Sequence, residues 1–121
     1  MSNLISVSIN EKEKVKVAKC KRKAIKGIID VAPNYSLIEE IRICGSVLEE
    51  TCEEDDIIEL IVFGSVSISA FMATPDYCGF TTDLYRNSKD RYDVMYFSIH
   101  DNVIGYHDKG VCIYKRNKEQ L

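Results

Sequence analysis

The sequence predicts an α/β (α+β) fold, a small mixed sheet of about three to four strands with helices packed against it. Three observations carry this. Ile57 to Phe63 is an almost continuous apolar run broken only by Glu59, the pattern of a central strand covered on both faces. Ile41-Arg42-Ile43-Cys44 alternates like a half-buried strand, and Tyr92 to Phe97 reads as another. Between Glu11 and Val31, apolar residues recur at helical spacing opposite a stripe of lysines.

Taken in order, the first element is that helix. Asn10 followed by Glu13 has the form of an N-cap with its capping-box partner, so the helix is expected to begin at Glu11. Val17, Ala18, Ala24, Ile25, Ile28 and Ile29 share one face, and Lys12, Lys16, Lys19, Lys23 and Lys26 share the opposite one. Val15 breaks the pattern, Gly27 weakens the last turns, and Pro33-Asn34 ends the segment. The strand at Ile41–Cys44 stops at Gly45-Ser46, and the acidic stretch beyond has no strand signal. After the Ile57–Phe63 strand, Ser65 to Arg91 is poorly patterned, with room for one helix near Ser67–Met72 or Thr82–Arg86. His100 to Asp108 fits a short helix, and Gly110 precedes a final strand-like run, Val111 to Tyr114.

At 121 residues the chain is expected to be one domain, 1–121, able to bury a core without disulfides. Five cysteines, an odd number with no C-x-x-C pair, read as reduced thiols rather than a zinc site or a disulfide framework. His100 and His107 lie seven apart, too far for a two-histidine metal site on one helix face, and read as surface residues. No apolar run approaches the roughly 20 residues that span a bilayer, and Met1–Ile5 lacks the basic start of a signal peptide. The expected location is cytoplasmic. Net charge is only −3, but Glu11–Lys26 holds eight bases and two acids while Glu49–Glu59 holds seven acids and no base. Such segregation marks a polyanion-binding face, head-to-tail association, or simply two solvated surfaces.

The residues that carry chemistry are few. Gly45-Ser46 directly after a strand lets backbone approach a phosphate while the hydroxyl and following N–H groups donate to it. Glu59 stands inside an apolar strand, where an unpaired carboxylate is expensive, so it is expected to be paired, at an edge or facing a site. Asp93 lies early in another strand among apolar neighbours. Carboxylates from two adjacent strands beside a phosphate-binding turn are what two-metal phosphoryl transfer requires.

In this order and spacing, Gly45-Ser46-Val47-Leu48-Glu49-Glu50, Ile57 to Gly64 and Tyr92 to Phe97 resemble the minimal nucleotidyltransferase family of the DNA polymerase β superfamily. Its members have a strand ending in Gly-Ser, then Ser-Asp-x-Asp on the next strand and a third Asp on a later one. Gly110-Val111-Cys112-Ile113-Tyr114 is similar to the family's closing strand. The resemblance runs from about Ile41 to Lys115 and implies a nucleotidyltransferase-like fold. It further implies an NTP such as ATP as substrate, Mg²⁺ or Mn²⁺ as cofactor, and transfer of a nucleoside monophosphate to a hydroxyl. Gly45 and Ser46 would grip the triphosphate; Glu59, Asp93 and Asp56 would hold the metal.

One departure stands against this. In the ungapped register Asp56 takes the place of the motif's Ser, Ile57 that of its first Asp and Glu59 that of its second, while Asp93 matches the third. Ile57 binds no cation, and Asp56 would face the other side of the strand unless the strand starts later or bulges. Three readings stay open: a weakened metal site completed by Asp56 or Asp55, a site that binds without catalysing, or a structural echo. The rival register at Gly64-Ser65 fails, because its downstream Asp76 and Asp83 are seven apart.

As an enzyme the chain would transfer nucleotides. As a non-catalytic module it would bind a nucleotide or a protein partner, in a toxin–antitoxin-type pair as the resemblance implies. As a structural partner or homo-oligomer it would associate through apolar residues around Tyr77, Phe80 and Tyr85. Nucleic acid is not the expected ligand, because the lysine stripe lacks interleaved aromatics.

Overall fold

The computed structural model describes residues 3–86, 89–103 and 105–116. The chain begins with a hairpin, β1 (Leu4–Ser8) and β2 (Lys14–Ala18), paired antiparallel with Val7 opposite Val15 and Ile5 opposite Val17. The helix expected from Glu11 therefore starts eleven residues later, as α1 (Arg22–Val31). The physical reason lies in Asn10. Its Oδ1 accepts from the backbone N–H groups of Lys12 (2.8 Å) and Glu13 (2.9 Å), and its Nδ2 donates to the Glu13 carboxylate (3.3 Å). Those bonds close a turn as well as they cap a helix. Val15 and Val17, β-branched and two apart, then point together into the core.

The main sheet contains β3 (Ile38–Cys44), β4 (Ile58–Gly64), β5 (Tyr92–Ser98) and β6 (Val111–Lys115) in the order β5-β4-β3-β6. β3 is antiparallel to both β4 and β6, whereas β4 and β5 are parallel. A parallel pair needs a crossover. The poorly patterned segment supplies it with two helices, α2 (Ile68–Met72) and α3 (Pro75–Arg86), where one was expected. Ser67 caps α2 through its Oγ, and α3 opens with Pro75 and Asp76 and ends with Arg86, all favourable at those ends. The expected helix at His100–Asp108 is absent: the described residues there form turns.

One face of the sheet carries the main core. Ile41 and Ile43, Ile58, Leu60 and Val62, and Ile113 meet Ile25 and Ile28 of α1 and Phe71, Phe80 and Leu84 of α2 and α3. The hairpin adds Val7, Val15 and Val17. Each such fully buried side chain stabilises the fold by roughly 1.5–3 kcal/mol relative to exposure. The other face is covered at one end only, where Cys44, Ile61 and Phe63 pack beneath Phe97, Ile99, Val103 and Tyr106. His107 stacks on Phe63 at 4.5 Å while His100 stays exposed. Beyond that cover β4 is bare, so the strand expected to be covered on both faces is so only over its second half.

Candidate functional site

Beside that cover, the same face holds two of the residues singled out by the sequence, Glu59 and Asp93. In β4, Ile58 and Leu60 point into the main core, so Glu59 between them points out and is exposed. The parallel register sets Glu59 directly opposite Asp93 of β5, and the antiparallel register sets it opposite Cys44 of β3. Directly opposed residues share a face, so Cys44, Glu59 and Asp93 form one row across three strands. Immediately after Cys44, the chain turns through a short 3₁₀ segment, Gly45–Leu48. Gly45 has φ +81°, and a Cβ there would collide with the Glu59 carboxylate. The left-handed backbone favours glycine, and its missing Cβ leaves room for that carboxylate as placed.

The electrostatics of the row register in Cys44. Burial raises its thiol above the ordinary range, Glu59 and Asp93 raise it further, and Lys109 pulls it back. Lys109 is thus the cation whose charge reaches Cys44. Its turn is pinned by Arg42, whose guanidinium donates to the carbonyls of Lys109 (2.8 Å) and Gly110 (3.2 Å). Sequence reasoning singled out neither Cys44 nor Lys109. Cys44 was legible in principle, because it immediately precedes Gly45 in an alternating strand; Lys109 is brought in by a turn whose register no local pattern encodes.

Asp56 goes elsewhere. β4 starts at Ile58, so Asp56 belongs to the preceding loop rather than to a strand face. Its Oδ2 accepts from the Glu53 N–H at 3.0 Å. That bond, with contributions from Ser46, Cys52 and Lys21, holds the carboxyl below its usual range. Asp56 is thus tied to its own loop through the Glu53 N–H and does not join Glu59 and Asp93 on the strand face. Ile57, two residues before Glu59, is 43% exposed, unusual for a large apolar side chain at the mouth of a strand.

The donor set can be tested against the implied metal. Mg²⁺ asks for one or two carboxylates, with water and substrate phosphates completing six oxygens. Glu59 and Asp93 meet that for a single ion. They do not meet the demand of two bridged ions, because Ile57 is apolar and Asp56 lies in the preceding loop, bonded to the Glu53 N–H. Among the described residues, no three His, Cys, Asp or Glu side chains converge to hold a metal ion.

The aromatic patch expected around Tyr77, Phe80 and Tyr85 divides. Phe80 is core, and Tyr85 is 57% exposed. Tyr85 lines a groove of about 400 Å³ between α2, α3 and β5 with Ile68, Met72, Tyr92 and Val94. Ile68, Met72, Tyr85 and Val94 are four of the five exposed large apolar residues among those described, and β5 is an edge strand. Lys12, Lys16, Lys19, Lys23 and Lys26 are all exposed, across the hairpin and α1 rather than on one helix.

Compared with protein-family models, with curated proteins and with solved structures, the chain finds no match. Among the described residues no helix is long and apolar enough to cross a membrane.

Proposed function

We propose that this chain is a cytoplasmic nucleotidyltransferase-type domain that binds a nucleoside triphosphate at the Gly45-Ser46 turn and transfers little or none of it. One observation carries the reading: Glu59 and Asp93 stand opposite one another beside a left-handed glycine turn, with Ile57 in the place of a third carboxylate. The exposed Gly45 backbone offers a phosphate close approach. Lys109 offers a positive charge at the same end of the sheet. Two facing carboxylates repel a triphosphate unless a cation lies between them, so affinity is expected to require Mg²⁺ or Mn²⁺. A divalent ion bound there would supply charge neutralisation of the phosphates. Removing one ligand of a metal pair costs transfer far more than binding.

Calorimetric titration with ATP and then the other NTPs, with and without Mg²⁺ or Mn²⁺, tests this. Metal-dependent binding lost in Glu59→Ala and in Asp93→Ala is the expected result, and no binding of any nucleotide overturns it. Ile57→Asp is expected to create NTP-dependent labelling of an acceptor hydroxyl that the parent lacks. A folded Ile57→Asp protein that still binds no NTP would mean the assignment of the site is wrong.

A second reading, a protein-interaction module, is favoured by the apolar groove. Its occupant would be a second copy, added along the edge of β5 so that Ile68, Met72, Tyr85 and Val94 are covered. A strict monomer by sedimentation at tens of micromolar protein would remove it.

A further inference from the structure

Cys20 and Cys52 are 32 residues apart in sequence and meet in space. Cys20 lies on the 3₁₀ turn Lys19–Lys21 between β2 and α1, is exposed, and places its Sγ 3.7 Å from the Cys52 carbonyl oxygen. Cys52 lies in the acidic loop before β4, half-buried, its thiol donating to the Glu53 carbonyl at 3.7 Å with Cys20 and Ser46 close by. The two segments are clamped together independently of the thiols. The fully buried Lys21 ammonium donates to the Glu54 carbonyl (2.7 Å) and pairs with Asp90 (2.6 Å). Asn3 Nδ2 donates to the Glu50 carbonyl (3.1 Å), and Arg91 donates to that of Asp55 (2.9 Å). The remaining cysteines lie on three other elements, Cys44 on β3, Cys78 on α3 and Cys112 on β6.

We propose that Cys20 and Cys52 are a redox modification site, closing reversibly into an intramolecular disulfide in the presence of a peroxide. With the two segments held together and Cys20 Sγ 3.7 Å from the Cys52 carbonyl oxygen, closure brings the two sulfurs to the geometry a disulfide requires. The exposed Cys20 attacks first. Its thiolate sulfur takes one peroxide oxygen, the O–O bond breaks, and water leaves once the released oxygen is protonated, giving a sulfenic acid. Cys52 then attacks that sulfur, the S–O bond breaks and a second water leaves. Two thiols and one hydrogen peroxide thus become one disulfide and two waters, and a dithiol reverses the step by exchange. The order follows from exposure: Cys20 is open to peroxide whereas Cys52 is half-buried, its thiol raised by that burial, so Cys52 is the resolving partner.

The bond would tie the start of α1 to the loop that carries Asp56. It would also remove the Cys52 S–H from beside Ser46 and Asp56, so the oxidation state is felt at the Gly45-Ser46 turn. The site stands whether or not the chain binds nucleotides.

The test is a thiol count and peptide map of the native protein after one or two equivalents of hydrogen peroxide. The expected result is a fall from five free thiols to three, a mass loss of two hydrogens, a linked peptide pair containing Cys20 and Cys52, and full recovery with dithiothreitol. Cys20→Ser and Cys52→Ser should each abolish the link, and Cys78→Ser, another exposed cysteine, should leave it intact. Five thiols surviving, or a link that joins two chains or uses Cys44, Cys78 or Cys112, overturns the proposal.

Discussion

Replacing Gly45 by alanine separates two demands that the site makes on one residue. With φ at +81° an L-residue is strained by about 1–2 kcal/mol. The added Cβ also meets the Glu59 carboxylate, but that side chain is exposed and can swing aside, so the collision adds little. Gly110→Ala is the comparison. Its φ is +67°, and its Cβ would strike the Ile43 backbone oxygen and approach Cys44 Cβ to 2.8 Å. The Ile43 backbone is paired with Val111 and cannot yield without opening that end of the β3–β6 pairing. An overpacking cost of about 1–3 kcal/mol therefore adds to the strain, for roughly 2–5 kcal/mol in all. Urea unfolding at 25 °C of the two variants and the parent reads both numbers. Gly45→Ala should cost about 1–2 kcal/mol and lose nearly the same amount in a Glu59→Ala background. Gly110→Ala should cost at least as much as Gly45→Ala, typically twice it. A neutral Gly45→Ala, or a Gly110→Ala that is cheaper than it, would refute the account of the turn and of how β6 docks. Gly45→Ala should also displace the Glu59 carboxylate and weaken any metal-dependent nucleotide binding, a loss that Gly110→Ala need not share.

Two further outcomes follow from charges whose positions only the fold discloses. Lys21→Ala leaves Asp90, which is 15% exposed on its side chain, without its ion-pair partner and frees the Glu54 carbonyl. Thermal unfolding should show a loss of roughly 3 kcal/mol, with Lys21→Met recovering part of it by filling the space. The Tyr35 hydroxyl donates to Asp83, and burial together with that bond and the charge of Asp83 pushes Tyr35 up to about 12. Its proton is therefore held more tightly folded than unfolded. The contribution is fully present below pH 10 and is lost as pH rises from about 10 to about 12. In a spectrophotometric titration of the tyrosines, Tyr35→Phe should remove the component that ionises last; its persistence would refute the assignment.

The candidate site was largely legible in the sequence because it is a matter of strand faces. Alternation puts Glu59 on the side opposite Ile58 and Leu60 wherever β4 packs, and a glycine after an alternating strand marks a turn. What the alternation could not supply was partnership. That Glu59 faces Asp93 rather than a base depends on β4 and β5 running parallel in one register, and that Asp56 bonds the Glu53 N–H in the loop depends on where β4 begins. The hairpin escaped for a different reason. Asn10 and Glu13 satisfy a turn and a helix start with the same bonds, and the lysines at helical spacing are exposed in either structure, so only burial of Val15 and Val17 decides between them. The helices α2 and α3 were blurred because their apolar residues face a twisted sheet and a groove rather than one plain core, and the parallel crossover then obliged the segment to be helical.

By itself, then, the sequence determined the strands of the main sheet and the turn that follows the first of them, both consequences of side-chain size and period. Only the tertiary structure decided that Lys21 is buried, that the charge of Lys109 reaches Cys44, and that Cys20 lies against Cys52. Those contacts join segments tens of residues apart, and they exist because the hairpin, α1 and the sheet must bury one another's apolar faces.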